Sequence, residues 1–172
     1  MKPRTPAKHK PHVKSFCRQL VLGQAPLYVS HQPLIDQPFL ECFSIVEQHV
    51  LANGGKQHVG WLITEFRKVW LEAEFHTIWE REDGVLIDLT PRSRAPDKVL
   101  FLPDPKRQYQ GRRVNSVFKP LSGHSAVKRF IACADEHFRI LEESDLPNKE
   151  TVAFQIEQEM NQLMERIVQD HF

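Results

Sequence analysis

Three residues of this chain have the types and the order of an acyl-transfer site. Cys42 opens a helical run, His76 stands in mid-strand and Asp88 lies near the end of the strand after it. Thirty-four residues separate the first from the second, and 12 the second from the third. A thiolate is a strong nucleophile, an imidazole can hold a proton and return it to a leaving group, and a carboxylate fixes the tautomer and orientation of the ring. Together they would attack a carboxamide or other acyl carbon and form a thioester, with no cofactor. Such a site also needs donors for the oxyanion. The Cys42 backbone N–H is one; Gln37, five residues ahead, and the indole N–H of Trp61 are candidates for the second.

The elements that must position these groups can be read from apolar spacing. Leu40 to Ala52 carries Phe43, Val46 and Val50 on one helical stripe, and Asn53-Gly54-Gly55 stops it. Cys42 then falls in the first turn, where unpaired amides and the helix dipole favour the thiolate. The stretch Gly60 to Pro91 reads as strands Val59–Phe66, Val69–Trp79 and Val85–Leu89. Alternation puts Trp70, Glu72, Glu74, His76 and Ile78 on one face of the middle strand. Asp83-Gly84 marks a hairpin turn, and counting outward from it sets Asp88 opposite Trp79 or Ile78, near His76. Glu72, Glu74 and Trp79 are expected at the rim of the cleft.

The flanking chain supplies the rest of an α+β domain. Residues 1–11 are rich in Pro and Lys and read as a disordered basic arm, leaving 12–172 as a single domain. His12–Leu22 is a helix with Cys17 on its apolar stripe, and 24–39, with prolines at 26, 33 and 38, reads as an extended connection. Lys98–Leu102 and Arg113–Phe118 are two further strands. Ser125–Leu141 and Thr151–Val168 are two long amphipathic helices. The expected architecture is an antiparallel sheet carrying the Cys42 helix, covered by the two C-terminal helices.

Composition narrows the setting. The 172 residues are 41% hydrophobic and 26% charged, as in an ordinary globular protein. Three cysteines form no CxxC pair and leave one odd, which argues for a reducing, cytoplasmic setting. No run is long enough to cross a bilayer, and the basic N-terminus lacks the apolar core of a signal peptide. An effector exported without such a peptide fits the same pattern. The net charge of +1 hides a basic segment, 91–119, where Arg92, Arg94, Lys98, Lys106, Arg107, Arg112, Arg113 and Lys119 face only Asp97 and Asp104. It reads as a solvated loop or as a surface for an acidic partner. Aromatic residues are too sparse there for a nucleic-acid platform.

Against this background the residues suggest a family. The order Cys42 on a helix, His76 on a strand and Asp88 on the next strand resembles the transglutaminase-like branch of the papain-type cysteine enzymes. His76-Thr-Ile-Trp79, Asp83-Gly84 and Asp88-Leu-Thr90-Pro91 carry the likeness. The spacing is also similar to that of arylamine N-acetyltransferases and protein N-terminal glutamine amidases. The block from Gly54-Gly55 to Thr90-Pro91 looks like one in uncharacterised bacterial proteins. The resemblance implies Cys42 as nucleophile, His76 as base and acid, and Asp88 as orienter, acting on a protein or peptide amide. It covers residues 40–91 and departs from transglutaminases in the longer His76–Trp79 spacing, in Phe43 after the cysteine and in Leu89 after the aspartate. Hydrolysis or deamidation is favoured over cross-linking, since no acceptor-amine site is visible. Two other readings compete. Glu72, Glu74 and His76, with Asp88, could ligate a divalent ion, or the chain could be a binding module that uses segment 91–119.

Overall fold

The computed structural model describes residues 3–39, 41–93 and 96–171. Helix α1 (Pro11–Leu20) starts on a proline, which needs no N–H partner in the first turn. Strand β1 (Leu27–His31) and helix α2 (Cys42–Asn53) follow. At the end of α2, Gly54 takes a φ of 73° and its N–H closes on the Val50 carbonyl. Strands β2 (Lys56–Phe66) and β3 (Trp70–Glu80) form a long hairpin, then come β4 (Leu86–Asp88), β5 (Lys98–Pro103) and β6 (Val117–Pro120). Two helices, α3 (Ser125–Glu143) and α4 (Lys149–His171), end the chain.

The strand order is β2-β5-β1-β4-β3-β6, and β2 also pairs with β3 along the whole hairpin. The first five strands therefore close into a small barrel, with β6 added to the far end of β3. This corrects the expected antiparallel sheet. β1 and β4 run parallel, with Ser30 opposite Ile87 and His31 opposite Asp88, so the sheet is mixed. The connection expected over 24–39 contains β1, whose ladder is confined between Pro26 and Pro33 and is completed by β5 and β4.

The two faces of the barrel wall have separate jobs. Val29, Leu62, Ile78, Val99 and Phe101 fill its inside. Trp61, Ile63, Leu71, Ala73, Leu100 and Leu102 point outward and pack on Val13, Phe16 and Cys17 of α1. α2 lies on the wall through Ile45 against Ile87 and Leu89. α3 and α4 pack on each other and seal Phe66 and Trp70 at the hairpin tip, rather than covering the sheet as a layer.

The segment read as a disordered arm lies against β2 from Pro3 onward. Arg4 exchanges backbone hydrogen bonds with Glu65 at 3.1 and 2.9 Å, and its guanidinium reaches the Glu65 carboxylate at 2.6 Å. His12 stands 3.2 Å from the other carboxylate oxygen. A carboxylate as buried as Glu65 needs such partners, which is what holds the segment down. No helix among the described residues is long and apolar enough to cross a membrane.

Candidate active site

The Cys42 side chain is buried at the first residue of α2, and the helical ladder begins only with Ile45 N–H to the Glu41 carbonyl at 3.1 Å. The N–H groups of residues 42–44 thus precede the ladder, at the positive end of the helix. The barrel leaves room for this helix end. β4 occupies the outer edge of β3 at residues 79–80 and β6 occupies it at 70–73. Residues 74–78 have no strand partner on that edge among the described residues, and Phe43 of α2 packs there on Phe75, ring centres 5.2 Å apart.

His76 is the residue after Phe75, and its side chain turns to the inner face. Its cross-strand partner is Gly60. A Cβ at Gly60 would lie 2.3 Å from the Leu102 carbonyl oxygen and 2.6 Å from Phe101. Only glycine lets β5 close this tightly beside the histidine. Pairing of Trp79 with Ile87 then carries Asp88 to the same face. His76 Nε2 donates to Asp88 Oδ1 at 3.0 Å, and both side chains are fully buried. The Thr90 N–H donates to the same oxygen at 3.2 Å.

With Nε2 committed to Asp88, Nδ1 is left as the ring nitrogen available to the thiol, and it is buried with no hydrogen-bond partner among the described residues. Cys42 is close enough to act on the imidazole. Burial alone would lower the His76 pKa, but the Asp88 charge and hydrogen bond, and then Cys42, raise it to about 10. Asp88 shows the reverse balance. Burial pushes it up, yet the His76 charge and hydrogen bond, the Arg92 charge and the Thr90 N–H bring it down to about 2.

A fourth side chain joins this group that the sequence reading placed in a solvated loop. Arg92, only 14% exposed, spans Glu74 Oε2 (3.4 Å), His76 Nε2 (3.4 Å) and Asp88 Oδ2 (3.6 Å). Among the described residues, the buried side-chain polar atoms without a hydrogen bond are His76 Nδ1, Asp88 Oδ2, Thr90 Oγ1 and Arg92 Nε. All four belong to this one cluster. Buried polar atoms are normally satisfied, so such a concentration marks a place held for something other than stability. No sequence signal singles out Arg92 from its basic neighbours, beyond its position four residues after Asp88.

Two hollows flank the cluster and share Glu72 and Glu74 in their linings. Cys42 lines one of about 620 Å³, together with Phe43, Phe75, Tyr109, Glu72 and Glu74. The other, about 990 Å³, is the barrel mouth and is lined by Leu62, Thr64, Val99 and Arg92. It is larger but does not reach Cys42, so the smaller one is the site of interest. For half-buried Glu72, burial is the main influence and raises its pKa; a Ser116 hydrogen bond opposes this, Glu74 adds to it and Arg92 opposes it, leaving it at about 7.

Other expected site residues stand elsewhere. Trp61 points to the outer face and gives its N–H to Asp104 Oδ2 at 3.1 Å, so it is not an oxyanion donor. It is odd-numbered on a strand whose even-numbered Gly60 and Leu62 share the face of His76. Trp79 is not at the cleft rim: it bonds the Gly54 carbonyl at 3.0 Å and stacks edge-on with His49, anchoring α2. Gln37 is half-buried in the loop before α2. Glu72, Glu74, His76 and Asp88 do not converge as ligands, and no group of three or more such side chains among the described residues could hold a metal. Segment 91–119 is not one surface. β5 runs through it as buried barrel wall, Arg107 lies over Trp61 and Arg113 pairs with Glu142.

A scan against protein-family models, a search of curated proteins and a search of solved structures each gave no match to this chain.

Proposed function

We propose that this chain is a cysteine-dependent amide hydrolase or acyltransferase working through Cys42, His76 and Asp88. The observation that carries the reading is the His76 ring itself, bound to Asp88 through Nε2 and buried with Nδ1 unpartnered next to the Cys42 thiol. A helix start bearing a thiol, docked on the open edge of a barrel strand bearing the histidine, also supports a transglutaminase-like, papain-type core.

In the proposed reaction His76 holds the thiol proton as an imidazolium, and the Cys42 thiolate forms an Sγ–C bond to a carboxamide carbon. The tetrahedral oxyanion is met by the Cys42 N–H, with the Gln37 amide as the second candidate donor. As the C–N bond breaks, the imidazolium returns its proton to the leaving nitrogen. Water, deprotonated by neutral His76, or an amine then resolves the thioester and releases the thiol. The substrate class supported is a protein or peptide amide, with hydrolysis or deamidation favoured, in a reducing compartment such as the cytoplasm.

The test is the alkylation rate of Cys42 by iodoacetamide from pH 4 to 10, in the native protein and in His76→Ala. Fast reaction below pH 7 in the native protein, shifted in the variant toward an ordinary thiol near pH 8.5, is expected. Identical profiles, or an unreactive Cys42, would sink the reading. Turnover of glutamine peptides, with and without an added amine, then separates hydrolysis from transfer.

A further inference from the structure

Among the described residues Arg92 makes three contacts of 3.4 to 3.6 Å and no shorter one, an uncommon state for a guanidinium only 14% exposed. Its geometry toward His76 is decisive. Nε2 already donates to Asp88 Oδ1, so it has no lone pair to accept from the Arg92 Nη2 only 3.4 Å away. That contact sets one cation beside another. Meanwhile Arg92 Nε faces Asp88 Oδ2, the carboxylate oxygen that no other group among the described residues hydrogen-bonds.

We propose that Arg92 is a positioning residue that competes with His76 for the charge of Asp88, keeping the imidazolium acidic enough to hand its proton to the leaving group. This rests on the reading of Cys42, His76 and Asp88 as the catalytic set. A histidine clamped to a buried carboxylate alone would hold its proton too tightly to act as an acid in turnover. Arg92 spreads the carboxylate's charge over two cations and opposes the imidazolium directly. Glu74, on the same face of β3, holds the far end of the guanidinium and limits that opposition.

Among the described residues, the other groups around His76 leave this role to Arg92. From α2 the Cys42 thiol faces it, and from β4 Asp88. β2 presents Gly60, which carries no charge. On β1, His31 lies in register with Asp88, its ring nitrogens 3.0 and 2.9 Å from the carbonyls of Pro96 and Thr90, to one of which a neutral ring donates. Glu72 lies farther along β3, beyond Glu74, and bonds Ser116.

The test is a ¹⁵N NMR titration of the His76 ring in full-length Cys42→Ala protein, alone and combined with Arg92→Gln, Arg92→Lys or Glu74→Gln. Arg92→Gln is expected to raise the His76 transition by about one pH unit or more. Arg92→Lys keeps the charge and should stay near the parent, while Glu74→Gln should lower the transition. Should Arg92→Gln not fold, the lowered transition expected of Glu74→Gln, beside the unmoved one expected of Arg92→Lys, still decides the matter. An unmoved or lowered transition in Arg92→Gln, or an unmoved one in Glu74→Gln, overturns the proposal. The premise is tested apart from this, by iodoacetamide on proteins retaining Cys42. If Cys42 reacts there as an ordinary thiol, the catalytic reading falls and the proposal falls with it, whatever the titration shows. If Cys42 is reactive and the titration is flat, only the role of Arg92 is lost.

Discussion

Replacing Asp88 by Asn keeps the shape of the side chain and an oxygen for the Thr90 N–H, and removes the charge. The lift of His76 from 6.5 to about 10, achieved against burial, leaves the imidazolium strongly favoured. The Asp88 charge and hydrogen bond are its largest favourable sources. Without them burial dominates and the ring is neutral at pH 6. A thiol with no imidazolium partner and an ordinary pKa near 8.5 is only about 0.3% thiolate at that pH. Alkylation of Cys42 in Asp88→Asn should therefore be on the order of 10²-fold slower than in the native protein at pH 6. The two rates should converge near pH 9 to 10, where the free thiol ionises unaided. Iodoacetamide kinetics across that range, with mass-spectrometric assignment of the modified cysteine, measure both limits. A variant that reacts within about threefold of the native rate at pH 6, while folded by circular dichroism, would refute the reasoning.

Two further outcomes follow from the same geometry. Gly60→Ala drives a methyl into the Leu102 carbonyl and Phe101, so urea unfolding should show a loss of about 1–3 kcal/mol, and surviving protein should have a displaced His76 ring signal. Glu72→Gln should stabilise the fold at pH 8 by up to about 3 kcal/mol and do little at pH 4. The sign follows from an acid whose folded pKa, about 7, lies above its unfolded value of 4.5: its proton is held better by the folded chain, so stability is lost as pH rises from about 4.5 through 7. Chemical melts of both proteins at the two pH values check it.

The helices and the hairpin are legible in the sequence because each advertises itself locally. Apolar residues three and four apart mark α1, α2, α3 and α4, and Asp83-Gly84 fixes where the chain turns back. Once the turn is placed, the period of two brings Asp88 and His76 to one face, which is why this pair can be named without coordinates. What escapes depends on partners distant in the chain. β1 is five residues between prolines and becomes a strand only by pairing with β5 and β4. Its parallel pairing with β4 has no local signature. The N–H of Trp61 is a good donor on paper, but Asp104, 43 residues later, claims it from the other face. Arg92 looks like any basic loop residue until Glu74 and Asp88 are seen on either side of it.

The closure of the barrel also bears on when the site comes into being. The β2–β3 hairpin joins neighbours in sequence and can form early, carrying His76 with it. Asp88 belongs to a three-residue strand held to β3 by only two paired positions, and its other side needs β1, nearly sixty residues back. β1 in turn is tied to the hairpin through β5, which leaves a ribosome after the whole Cys42–Asp88 span. A nascent chain that has exposed its thiol and its histidine thus still lacks the wall that fixes the carboxylate. If Cys42 is the proposed nucleophile, its reactivity awaits β5, and the growing chain is spared a live thiolate until the barrel closes.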